Sequence, residues 1–148
     1  MSPNGKDKLY EDFFRRFVHD LRKEGALGEV RASGKKNYRS FRFFRSGAKG
    51  FTYAVVFPRG GRVRAEIYID LGNRAQNVAK FQAFYAARSA LEKEFGEPLN
   101  WELLDGRRAC RIAVYRDGKI EDSDELGEYH RWALVRLLRF RSVFGPRL

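Results

Sequence analysis

Residues 51–70 read FTYAVVFPRGGRVRAEIYID, and this stretch decides the fold. Val, Ile, Phe, Tyr and Thr are frequent in both halves, Phe51–Phe57 and Arg62–Asp70, and these residue types favour extended chain. Between them Pro58 withholds a backbone donor, while Gly60 and Gly61 accept the backbone angles of a turn. The pattern predicts an antiparallel hairpin. An even-length connection through Pro58, Arg59, Gly60 and Gly61 sets Thr52, Ala54, Val56, Val63, Ala65, Ile67 and Ile69 on one face. That small, apolar face suits a packed helix. Phe51, Tyr53, Val55, Phe57, Arg62, Arg64, Glu66 and Tyr68 then share the other face, where rings and guanidinium groups interleave.

Outward from the hairpin, Tyr38–Phe44 is a further aromatic run, with Gly47 and Gly50 marking the bend after it. Before that, Tyr10, Phe13, Phe14, Phe17 and Leu21 recur at helical spacing and predict a helix over 9–24, closed by Gly25. His19 falls opposite this stripe and is expected in solvent. After the hairpin, Asn73 and Gln76 form a capping-box pattern, and Val78, Phe81, Phe84, Tyr85, Arg88, Leu91 and Phe95 trace one helix up to Gly96. Asp105-Gly106 then predicts a second hairpin between Leu99–Leu104 and Arg107–Tyr115. Its core face holds Leu99, Trp101, Leu103, Cys110, Ile112 and Val114, with Glu102 beside Arg107 and Arg111 on the wet face. Asp122 and Glu125 suggest the cap of a last helix that buries Leu126, Tyr129, Ala133, Leu137, Phe140 and Phe144. His130 lies on this stripe and reads as a core residue, while Trp132 beside Arg136 and Arg139 suits a cation–π contact. The expected fold is α+β, a single domain over 9–148 in the order α-β-β-β-α-β-β-α, with a mainly antiparallel five-stranded sheet. Residues 1–8 are expected to be disordered.

The net charge is +11 over 148 residues. Residues 1–74 hold 17 basic and 8 acidic side chains, against 13 and 11 in residues 75–148. No acid lies between Glu29 and Glu66, a window rich in arginine and lysine. Such a field attracts polyanions, nucleic acid foremost. Arg39, Arg42, Arg45, Arg62 and Arg64 are therefore candidates for phosphate contacts, with Tyr53 and Tyr68 as stacking residues if their face is open. A single cysteine, Cys110, excludes an internal disulfide and fits a cytoplasmic setting. No run approaches the roughly 20 apolar residues of a membrane span, and no leader pattern opens the chain.

No phosphate-binding glycine loop, nucleophile elbow, HExxH helix or Cys/His cluster is present, so no catalytic residue, metal or cofactor is assigned. A helix followed by three strands and a helix is also the order of restriction-endonuclease-like nucleases. Such a site needs an acid on one strand and an acid-x-Lys pair on the next to hold Mg²⁺. Glu66 and Asp70 lack that lysine, and Asp117-Gly118-Lys119 reads as a turn.

RVRAEIYIDLGN (62–73), FGEPLNWELLDGRRACRIAVYRDGKI (95–120) and RWALVRLLRFRSVFGPRL (131–148) together resemble the microbial family called domain of unknown function 4268 (DUF4268). The resemblance runs from the first helix to the last residue and carries over no catalytic residues. Family members occur alone or follow a nuclease-like segment, which implies an accessory role near nucleic-acid processing or phage defence. With no such segment here, a nuclease would be a partner chain. Nucleic-acid binding, docking of a protein partner, homodimerisation and a divergent nuclease are the functional readings that remain.

Overall fold

The computed structural model describes residues 5–25, 28–30 and 40–148, of which Glu29 and Val30 are described in their backbone alone. Helix α1 spans Gly5–Lys23 and buries the expected stripe of Tyr10, Phe13, Phe14, Phe17 and Leu21. It opens inside the stretch expected to be disordered, where Asp7 in its first turn complements the helix dipole. The strands follow as β1 (Glu29–Val30), β2 (Phe41–Arg45), β3 (Phe51–Val56) and β4 (Arg62–Ile69). Tyr38 and Arg39 lie outside the described residues. Next come α2 (Arg74–Ala86), α3 (Arg88–Phe95), β5 (Asn100–Glu102), β6 (Cys110–Asp117) and α4 (Leu126–Phe144), closed by a short 3₁₀ turn at Gly145–Arg147. The sheet order is β1-β2-β3-β4-β6-β5, antiparallel throughout. The expected five strands are joined by the two-residue β1 at the edge.

The β3–β4 hairpin corrects one expectation in detail. Val56 pairs with Arg64 and Phe51 with Ile69, so the hairpin is centred on Gly60 and an odd number of residues separates every pair. Gly60 and Gly61 both take positive φ, 96° and 70°, which lets the chain reverse over this odd loop. The faces exchange partners as a result. Tyr53 and Val55 now lie with Ala65 and Ile67 on the core side, whereas Thr52, Ala54 and Val56 lie with Arg64, Glu66 and Tyr68 on the other.

All the described helices pack on the core side. α4 crosses β3 and β4, α1 and α3 lie against α4, and α2 rests on β6. Rings join these layers: Phe13 meets Phe57 edge-on at 5.1 Å, Phe17 meets Phe44 at 5.8 Å, Phe84 meets Phe144 at 5.2 Å and Phe95 meets Phe140 at 4.7 Å. Each buried ring of this kind contributes about 1.5–3 kcal/mol relative to exposure. The helix expected over 73–96 breaks at Ala87 into α2 and α3, and Gly96 ends the second with φ 98°. Asn73 caps α2 as expected, accepting from the Gln76 N–H at 2.9 Å. Asp122 does not cap α4; its Oδ2 accepts from the Lys119 N–H and the Tyr129 hydroxyl.

The second hairpin keeps the expected faces, with Trp101 opposite Ile112 and Glu102 opposite Arg111. Its connection runs over 103–109 and is not the two-residue turn that Asp105-Gly106 suggested. The Arg74 guanidinium donates to the carbonyls of Leu103 and Arg107 and braces this loop, which leaves Leu103 exposed. Asn77, fully buried, ties the β4–α2 turn to the start of β6: its Oδ1 accepts from the Leu71 N–H and its Nδ2 donates to the Arg108 carbonyl.

At Gly118, just past β6, a Cβ would meet the Tyr129 ring at 2.6 Å and Val63 Cγ2 at 2.9 Å. Gly118→Ala is expected to destabilise the fold by about 1–3 kcal/mol, the range for overpacking a filled core. A urea midpoint unchanged from the parent's would contradict this packing.

Candidate functional site on the open sheet face

Because alternate residues of a strand point to opposite sides, packing every described helix on one face leaves the other uncovered by them. Cross-strand pairing arranges its side chains in rows. One row runs Phe41, Val56, Arg64, Tyr115; the next Phe43, Ala54, Glu66, Ala113, Asn100; the third Arg45, Thr52, Tyr68, Arg111, Glu102. Arg62 and Asp117 pair beyond the first row. Aromatic groups occupy both flanks. Phe43 lies 5.4 Å from Phe41 and 6.0 Å from Tyr68 by ring centroid, and on the far flank Arg62 stacks over Tyr115 at 4.0 Å.

At the centre Glu66 sits between two alanines, Ala54 and Ala113, and all three are at most 1 % exposed. The short alanine side chains leave room for larger neighbours to close over the carboxylate. Arg64 Nε donates to Glu66 Oε1 at 2.5 Å, with 12 % of the arginine side chain exposed. One row on, Glu102 accepts from Arg111 Nε at 2.7 Å and from the Tyr115 hydroxyl at 2.6 Å. Burial pushes the Glu66 carboxyl above the usual carboxylate range, opposed by Arg64 and Arg111. Burial likewise raises the phenols of Tyr68 and Tyr115, so both stay neutral donors.

The candidate residues divide between the faces. Arg45, Arg62, Arg64 and Tyr68 come together on the open side. Arg42 points to the core side, its guanidinium 4.7 Å above the Phe14 ring and donating to the Phe41 carbonyl. Tyr53 is fully buried there, with its hydroxyl unpaired among the described groups and its pKa pushed up to about 12 by burial. It is not available for stacking. Arg39 lies outside the described residues. Phe41, Phe43, Arg111 and Tyr115 join the site, and the two-residue period marks them once the hairpin is centred on Gly60.

Two of the acids that a nuclease would use, Asp70 and Glu66, are engaged by arginines. Asp70 accepts from Arg108 at 2.7 Å, and that bond heads the causes holding its carboxyl below the usual range. Glu66 is held by Arg64, and Asp117 stands opposite Arg62 at the far end of the face. No cluster of three or more His, Cys, Asp or Glu placed to hold a metal occurs among the described residues. Cys110 is buried in the core and its thiol is pushed up by desolvation. His130, read as a core residue, has a carboxylate partner: Asp20 on α1 lies 2.9 Å away. No described helix is long and apolar enough to cross a membrane.

Among the described residues the architecture is a two-layer α+β domain, a helical layer on one side of an antiparallel sheet. The chain belongs to the family described as domain of unknown function (DUF4268), which matches residues 9–148. No curated protein matches it. Among solved structures it is similar to Escherichia coli YbjN, described as "a putative transcription regulator", at 8 % identity and TM-score 0.39 over 88 % of this chain and 90 % of that one. An uncharacterised protein from Methanothermobacter thermautotrophicus is similar at 11 % identity and TM-score 0.35, over 90 % and 96 %. Neither likeness carries an argument about function.

A carboxyl whose pKa is raised by folding binds its proton more tightly in the folded state, so the stability it contributes is present at low pH and is lost as pH rises through the raised value. Relative to Glu66→Gln, the parent is therefore expected to lose stability as pH rises from about 4, near the unperturbed carboxyl value, through the raised value. Urea midpoints measured for both proteins across that range read the effect. Parallel curves would mean the carboxyl is not desolvated.

Proposed function

We propose that this chain is a non-enzymatic module that binds single-stranded nucleic acid without sequence preference on its open sheet face, as an accessory to nucleic-acid processing such as restriction or phage defence. One observation carries the reading. Phe43 and Tyr68 lie 6.0 Å apart on a sheet face that no described helix covers, with exposed Arg45 and Arg62 toward opposite ends of it. Rings so placed can stack on bases, which is sequence-tolerant because every base has a π-face. Arg45 and Arg62 are the groups left to hold phosphates. Arg64 and Arg111, engaged by Glu66 and Glu102, shape the platform between them.

The same pairing favours a second reading. Counted over the rows, the face carries Arg45, Arg62, Arg64 and Arg111 against Glu66, Glu102 and Asp117. A nearly balanced, aromatic surface also suits a protein partner or a second copy of this chain. Light scattering that shows a concentration-dependent size, with no affinity for polyanions, would favour it.

Fluorescence anisotropy with labelled single-stranded DNA, duplex DNA and RNA at several salt concentrations tests the main reading. Tight single-strand binding with a steep salt slope is expected. Arg45→Glu and Arg62→Glu should weaken all sequences alike and lower the slope by about one each. Phe43→Ala and Tyr68→Ala should each cost about 1–3 kcal/mol at low and high salt alike. Binding that all four variants leave intact would remove the sheet face from the interaction.

A further inference from the structure

A second site, on the helical side of the molecule, brings together the only two histidines of the chain. His19 on α1 and His130 on α4 both meet Asp20: His19 Nδ1 lies 3.2 Å from its Oδ1, and His130 Nε2 lies 2.9 Å from its Oδ2, off the line of a hydrogen bond. The His130 ring is set edge-on against Phe17 at 5.4 Å and Phe13 at 6.0 Å, which fixes its plane. The bond from His19 and then the charge of His130 hold the Asp20 carboxyl below the usual range. Asp20 thus hydrogen-bonds one nitrogen of His19 and lies close to one of His130, and His19 keeps its Nε2 for another partner.

These groups line a cleft of about 620 Å³ between α1 and α4, within the range of small-molecule sites. Arg16 from α1 and Arg131 from α4 line it and are exposed, and among the described residues neither makes an ion pair or a hydrogen bond. Arg15 is already taken by Asp12 at 2.6 Å. The cleft shares Arg16, Gly127 and His130 with a smaller recess of about 220 Å³ whose other walls are Leu9, Phe13, Leu126 and Asp12, the last with its carboxylate taken by Arg15 and Lys8. A Cβ on Gly127 would meet nothing within 4 Å, so the space above that backbone is open. The arrangement has two chemistries: two unengaged guanidinium groups in the lining of the cleft, and a largely apolar recess beside it. A guanidinium matches a phosphate through paired hydrogen bonds.

We propose that the α1–α4 cleft binds a nucleoside monophosphate, either free or as the 5′-phosphorylated end of a strand, with the phosphate between Arg16 and Arg131 and the base in the recess beside His130. This site is separate from the sheet face, since α1 and α4 pack on the opposite side of the sheet.

The imidazole C2 protons of His19 and His130 give two proton NMR signals that report the cleft directly. The full-length protein is titrated with inorganic phosphate, with a nucleoside monophosphate, and with a short 5′-phosphorylated oligonucleotide beside its unphosphorylated counterpart. The monophosphate is expected to shift both signals and to bind at least tenfold more tightly than phosphate. Arg16→Ala/Arg131→Ala, two exposed positions, should lose at least tenfold of that affinity and keep the parent's melting temperature. Arg45→Glu/Arg62→Glu should leave it unchanged, which separates this site from the proposed sheet interface. A response to the phosphorylated oligonucleotide alone among the two oligonucleotides assigns the strand end as a source. A response to neither assigns the free nucleotide. Unmoved histidine signals at millimolar monophosphate, equal affinity for phosphate alone, or undiminished binding by Arg16→Ala/Arg131→Ala would overturn the proposal.

Discussion

The alternation of side chains along β4 is the constraint on which the rest of the structure depends. β4 lies between β3 and β6 and is hydrogen-bonded along both edges, so it cannot shift register without breaking two ladders. Val63, Ala65, Ile67 and Ile69 are all fully buried on one side. A slip of one residue would carry that whole set to the other face and bring Arg64, Glu66 and Tyr68 under α4. The burial of four apolar side chains therefore sets which residues the opposite face can present. Glu66 between its two alanines, and the arginine drawn over it, are consequences of the same parity.

The basic character of the chain is distributed by the same rule. The acid-free stretch before Glu66 looks like a single electrostatic feature when read along the chain. Folded, Arg42 and Arg45 leave one strand in opposite directions, because three residues apart in a strand is an odd step. Arg42 lies over Phe14 on the helical side, and Arg45 stays with the sheet rows. Meanwhile Arg16 and Arg131, far apart in sequence and in no obvious cluster, line the same α1–α4 cleft. Charge density along the chain and charge density on the surface are therefore different quantities here.

The elements themselves were legible, since the helical stripes of Phe13, Phe17 and Leu21, and of Ala133, Leu137 and Phe140, each bury one continuous face. The Glu102–Arg111 pair was legible too, because its two strands keep the expected parity even though their loop is longer than a two-residue turn. Loop parity between β3 and β4 was not. Pro58-Arg59-Gly60-Gly61 is compatible with odd and even connections, and only the cross-strand packing of Tyr53 and Ile67 in the core selects the odd one. That one choice moved Tyr53 inside and brought Phe43 beside Tyr68. The break at Ala87 and the partnership of His130 with Asp20 had no local signature, as each depends on what a distant helix packs against.

Sequence alone determined the α+β class, the order of helices and strands, the apolar stripes and the family, because each follows from residue periodicity or local turn chemistry within a few neighbours. Tertiary structure alone decided which face of the sheet the described helices cover, which arginines are engaged by carboxylates, and that both histidines converge on one aspartate. Those outcomes depend on contacts between residues tens of positions apart. Such contacts are selected by the joint burial of β4 and the helical layer, and no local pattern encodes them.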